Sequence, residues 1–173
     1  MLSARVMTRR AWIVLGVTLL ALSASASTSE IRLFHIERSK NANIVAYDVR
    51  LNPRGTIDTS APVDGYWVRL AEDGRRKELS GLEKRLAYGW SAKRHGEDGL
   101  VLSMKALPDR EITVVHGKDG YEAHMPIAGV PARFMKAFVK TKEGGLLPKV
   151  LYVDFFGRRL DNGEPIMERQ KND

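Results

Sequence analysis

Apolar and polar residues alternate with a period of two along most of this chain. The pattern is cleanest over residues 44–51, where Val45, Tyr47, Val49 and Leu51 fall on one face and Asp48 and Arg50 on the other. That is the signature of a half-buried strand. Residues 31–38 alternate less regularly, with Phe34 and Ile36 opposite Leu33 and His35. The turn-forming run Ser39-Lys40-Asn41-Ala42-Asn43 lies between them, so residues 31–51 read as a hairpin. Asn52-Pro53-Arg54-Gly55 breaks the pattern and opens an irregular, surface-exposed connection to Pro62. Further strands are predicted over residues 65–70, 88–93, 100–106, 111–116, 121–125 and 149–156. Glycine, proline and aspartate turns separate most of them. Residues 132–142 fit either a strand or a short helix. Ser80 with Glu83 three positions on forms a capping box for a helix over residues 81–87, in which Leu82 and Leu86 share a face. After Gly157 the chain reads as a polar tail.

The expected fold is therefore all-β: an antiparallel barrel or sandwich of about seven to nine short strands, with one or two short helices. Long amphipathic helices able to cover a parallel sheet are missing from the pattern. Barrel closure is favoured slightly, because it removes exposed edges.

The N-terminus departs from this pattern. Arg5, Arg9 and Arg10 precede a charge-free apolar stretch over residues 11–22, and Ala24-Ser25-Ala26 supplies the small-x-small pattern of a signal-peptidase site. Residues 1–26 are expected to be a signal peptide, which leaves residues 27–173 as one domain in the periplasm or outside the cell. The apolar run is short for a membrane span, so no stable transmembrane segment is expected after processing. Arg9-Arg10 also fits a twin-arginine export signal.

Composition narrows the chemistry. The chain has no cysteine, hence no disulfide, thiolate metal site or cysteine nucleophile. Its formal charge is +7, and loss of the three N-terminal arginines leaves 25 basic against 21 acidic residues, or +4. That modest bias favours anionic headgroups, polysaccharide or an acidic partner. It does not point to nucleic acid, because the basic residues are scattered rather than arrayed with exposed aromatics. There is no Gly-x-Ser-x-Gly elbow and no phosphate-binding glycine loop. Nothing implies a cofactor.

Three constellations remain. His116 and His124 become neighbours if their strands form a hairpin, and with Asp119 or Glu122 could hold a metal; scattered imidazoles are the stronger reading. Asp48, Glu83 and Asp154 lie beside apolar residues and are the candidates for a hydrolytic carboxylate pair, with Arg38, Arg50 or Lys40 as partners if buried. Facing water is the simpler fate for them. Trp67, Trp90 and Tyr47, Tyr66, Tyr88, Tyr121 and Tyr152 can line a ligand cleft or pack the core.

The runs Asn41-Ala42-Asn43-Ile44-Val45-Ala46-Tyr47, Pro62-Val63-Asp64-Gly65-Tyr66-Trp67, Glu83-Lys84-Arg85-Leu86-Ala87-Tyr88-Gly89 and Ala106-Leu107-Pro108 together resemble the uncharacterised exported bacterial family DUF4833, over roughly residues 33–157. The resemblance implies a single domain and brings no activity, ligand or catalytic residue. The expected function is non-enzymatic binding of a small ligand, a lipid, a glycan or an envelope protein. The candidate surface is Arg38, Lys40, Asn41, Asn43, Tyr47, Trp67, Glu83 and Tyr88. The alternatives are a carboxylate hydrolase of an envelope polymer and a structural protein-interaction domain.

Overall fold

A computed structural model describes residues 29–142 and 149–171. The expected signal peptide and the Gly144-Gly145 pair that follows the predicted 132–142 element in the sequence lie outside the described residues. No helix among the described residues is long and apolar enough to cross a membrane.

Eleven strands form one mixed sheet. They are β1 (Ser29–Arg38), β2 (Asn41–Leu51), β3 (Val63–Val68), β4 (Arg76–Glu78), β5 (Trp90–His95), β6 (Gly99–Met104), β7 (Leu107–Gly117), β8 (Gly120–Ile127), β9 (Val130–Lys142), β10 (Lys149–Arg159) and β11 (Pro165–Lys171). The β9 strand is the stem of a fork. One of its edges carries β10, with β11 beyond. Its other edge is shared: Val130 to Arg133 pair antiparallel with β8, and Lys136 to Val139 pair parallel with β1. From there β1-β2-β3-β4 and β8-β7-β6-β5 run outward as two arms.

The inner faces of the arms meet through the core. Phe34 on β1 stacks between Tyr47 on β2 and Phe134 on the stem, at 4.7 and 4.8 Å. Tyr47 then meets the edge of Trp90 on β5 at 5.7 Å. The Trp90 ring lies against Gly65 on β3, so closely that a Cβ there would stand 2.6 Å from the ring. Val45, Tyr47 and Val49 of one arm and Leu102, Ile112 and Val114 of the other are fully buried.

The expected barrel does not form. The outermost strands, β4 and β5, are not hydrogen-bonded to each other. A layer of side chains holds the arms apart, and Leu79 with a helical cap spans the gap from β4 to β5. The all-antiparallel expectation is corrected too, by the β1–β9 pair. Residues 132–142 are strand. A register shift around Met135 moves the buried set from Ala132 and Phe134 to Ala137, and that three-residue step mimics a helix. The expected polar tail contains β11, and β4 was also unforeseen. The connection after β2 is not wholly external, since Ile57 is buried and bridges to Leu51.

The helical cap begins as predicted. The Ser80 hydroxyl accepts from the Glu83 N–H, and the Glu83 carboxylate accepts from the Ser80 N–H at 2.8 Å. Only Gly81–Glu83 (α1) is α-helical; Lys84–Tyr88 winds on as a π-helical turn. Leu82 and Leu86 face solvent.

Candidate ligand site beneath the helical cap

Trp67 is the centre of the site. It lies on β3 facing inward and is 6% exposed. A buried indole N–H needs an acceptor, and here it donates to the Glu83 carboxylate at 3.0 Å. The capping carboxylate therefore does two things: it caps the start of the helix and ties it to the sheet. The Arg38 guanidinium, from the end of β1, lies 4.3 Å from the Trp67 ring centre, within cation–π range. Tyr88, at the end of the cap, meets Trp67 edge-on at 5.2 Å. Its carbonyl accepts from the Tyr47 hydroxyl at 2.9 Å.

Burial pushes both phenols up, Tyr47 far and Tyr88 less so, because Arg38 opposes the shift at Tyr88. Neither is a base or an anionic nucleophile at neutral pH. Burial also pushes the Glu83 carboxyl up, but the bonds from Ser80 and Trp67 outweigh it and hold the carboxyl below its usual value. The site thus offers an indole, a phenol, one cation and one carboxylate. Those are groups for non-covalent recognition.

Five of the eight residues selected from the sequence meet here: Arg38, Tyr47, Trp67, Glu83 and Tyr88. The others are nearby in the chain but do other work. The Asn43 side chain accepts from the Ala71 N–H at 2.8 Å and donates to Glu72 at 3.2 Å, which fastens the β3–β4 turn to β2. Asn41 stands opposite Arg38 in the hairpin and accepts from the Asn43 N–H. Lys40 is exposed in the β1–β2 turn.

The family model of a domain of unknown function, DUF4833, matches residues 34–169. The chain belongs to the DUF4833 family. The match runs from within β1 into β11, so it contains the stem, both arms and the cap. No curated protein and no solved structure matches the chain.

Within the DUF4833 domain the candidate carboxylates do not pair with one another. Asp48 is buried and is held by Arg32 and by the Tyr66 hydroxyl at 2.5 Å. Asp154, also buried, takes two bonds from Arg169 at 2.7 and 2.8 Å. The expected partners Arg38, Arg50 and Lys40 are corrected to Arg32 and Arg169. The expectation that these carboxylates face water is corrected as well. Glu83 stays in the cap. Asp48 and Asp154 lie on β2 and β10, with β1 and β9 between them.

The two histidines do not become neighbours. His116 pairs with Tyr121 and stacks edge-on against it, whereas His124 stands opposite Thr113 and bonds Glu122 on the other face of the ladder. No group of three His, Cys, Asp or Glu suited to a metal occurs among the described residues. Of the remaining aromatics, Tyr66 carries Arg76 3.6 Å above its ring, and Tyr152 carries Arg169 at 4.0 Å.

Two shallow grooves lie elsewhere. One, of about 830 Å³, runs from the β6–β7 turn to β11, and its Arg110 and Glu168 neutralise each other. The other, of about 550 Å³, crosses β9, β10 and β11, with Met135, Phe156 and Met167 in its lining. Sequence reasoning missed both, because they are built by the fork and by β11.

Proposed function

We propose that this DUF4833 domain is a non-enzymatic binding domain of the cell envelope, exported to the periplasm or the cell exterior. Its occupant is a small ligand or an envelope component, a lipid or a glycan, held beneath the helical cap. One observation carries the reading: Arg38, Trp67, Glu83 and Tyr88 come from three separate elements and converge on one indole. Arg38 is partly buried as a residue, and its Nε is buried without a hydrogen-bond partner. The hydrolase alternative finds no support in Asp48, Glu83 and Asp154, each of which is engaged by a partner of its own.

The test is recovery of the native protein from its envelope, followed by mass spectrometry of the protein and of what copurifies. The expected N-terminus is Ser27 and the expected companion is a lipid or glycan. That companion is lost from folded Arg38→Gln and Tyr88→Leu variants. A companion retained by both would overturn the assignment of the site. An N-terminus that keeps Arg9 and Arg10 on a membrane-bound product would overturn export with processing.

A further inference from the structure

An amphipathic helix normally turns its leucines inward. The cap does the reverse. Leu82 and Leu86, four residues apart, are 55% and 57% exposed, while Glu83 and Tyr88 face Trp67. Next to this outer face is a notch of about 390 Å³ floored by Gly81, Gly89 and Trp90, with Lys84, Arg85 and Lys105 as its other walls. Among the described residues these three cations have no carboxylate partner. Other cations of the sheet do have one: Arg32 pairs with Asp48, Arg110 with Glu168, Arg133 with Glu122 and Arg169 with Asp154. Three cations without a carboxylate partner thus gather in one notch beside two adjacent exposed leucines.

The geometry points to this face of the cap as a peripheral docking surface for an anionic phospholipid membrane. A headgroup phosphate meets Lys84, Arg85 and Lys105 in the notch. Leu82 and Leu86 enter the acyl boundary. A membrane fits better than a protein partner. Two leucines and a small notch fall far short of the roughly 800 Å² per side of a stable protein interface. Interfacial attachment needs only a few apolar side chains and matching charge. The surface is separate from the Trp67 site, so the two readings stand or fall independently.

Cosedimentation of the purified native protein, wild type and variants processed alike, with phosphatidylglycerol and phosphatidylcholine vesicles tests the docking. Binding to the anionic vesicles alone is expected, and it weakens as salt rises. Each of Lys84→Gln, Arg85→Gln and Lys105→Gln lowers affinity about fivefold. Leu82→Ser with Leu86→Ser lowers it by at least about tenfold. All five side chains lie on the surface, and circular dichroism checks that the variants stay folded. Arg38→Gln leaves vesicle binding unchanged, which separates this result from the ligand test above. Equal binding to both vesicle types, or affinity unmoved by the leucine pair, overturns the proposal. So does inorganic phosphate that binds the notch while vesicles do not, or retention by an envelope protein without vesicle binding.

Discussion

Asp48 is the residue on which the outer face of the first arm depends. It is buried, neutralised by Arg32 across the hairpin and hydrogen-bonded by the Tyr66 hydroxyl across β2–β3. A buried carboxylate stripped of its cation is strongly destabilising, although the partial exposure of Arg32 softens the loss. Arg32→Ala is expected to cost about 2–3 kcal/mol and Tyr66→Phe about 1 kcal/mol. Urea midpoints at constant m-value measure both. The pair was hidden in the sequence for a definite reason. Counting back from the Arg38–Asn41 pair puts Ile31 opposite Asp48, but two register shifts in the hairpin put Arg32 there instead. Arg169 was hidden because its strand has no apolar alternation to announce it.

Acid acts at the same scale. Arg110 and the Ala128 N–H hold the Glu168 carboxyl below its usual value against the opposing effect of burial, and Arg169 does the same for Asp154. Folded carboxylates with depressed values stabilise the protein above their unfolded values and lose that contribution as pH falls through the folded ones. Between about pH 5 and 3 the unfolded chain takes up more protons, so stability falls with pH in that window. Glu168→Gln is expected to flatten the slope, as read from urea unfolding at stepped pH. An unchanged slope would exclude Glu168 as a contributor.

Elements were legible where one face is dry and the other wet. The alternation over residues 44–51 and 100–106 located β2 and β6, and the capping box located the start of the cap to the residue. Elements without such contrast were not legible. Every residue of β4 is exposed, and β9 slips its phase at Met135. The candidate site was half visible. Trp67, Glu83 and Tyr88 were picked as a polar-aromatic group, but the bond from the indole to the helix cap is a tertiary fact. The contact of β3 with β5 depends on Gly65. A methyl group there must displace the Trp90 ring, so Gly65→Ala is expected to cost about 1–3 kcal/mol. Tryptophan emission should change with it, and thermal unfolding monitored at that signal is the measurement. Ser80→Ala should cost about 1 kcal/mol through the lost cap.

At the scale of the molecule the stem joins the two arms. The β9 strand is paired along both edges, whereas the cap joins the sheet through a few side chains. Hydrogen exchange should be slowest in β9 and in the central residues of β1 and β2, and fastest in residues 81–88. Comparable protection of the cap would show that it is an integral part of the core. Only eight described residues are helical, so far-ultraviolet circular dichroism should be strand-dominated, well below the roughly one-third helix of an average globular protein.

The parallel pairing of β1 with β9 also sets an order of events. His35 lies against Lys136, about a hundred residues later in the chain. A ribosome adding roughly 5–20 residues per second finishes β1 and β2 several seconds before the strand that closes the core behind Phe34 exists. During that interval the N-terminal hairpin has no stem to fold onto, and such long-range pairing is slow to form even in a complete chain. The emerging polypeptide therefore stays open, and whatever must be threaded through a narrow channel can be threaded before the fork shuts.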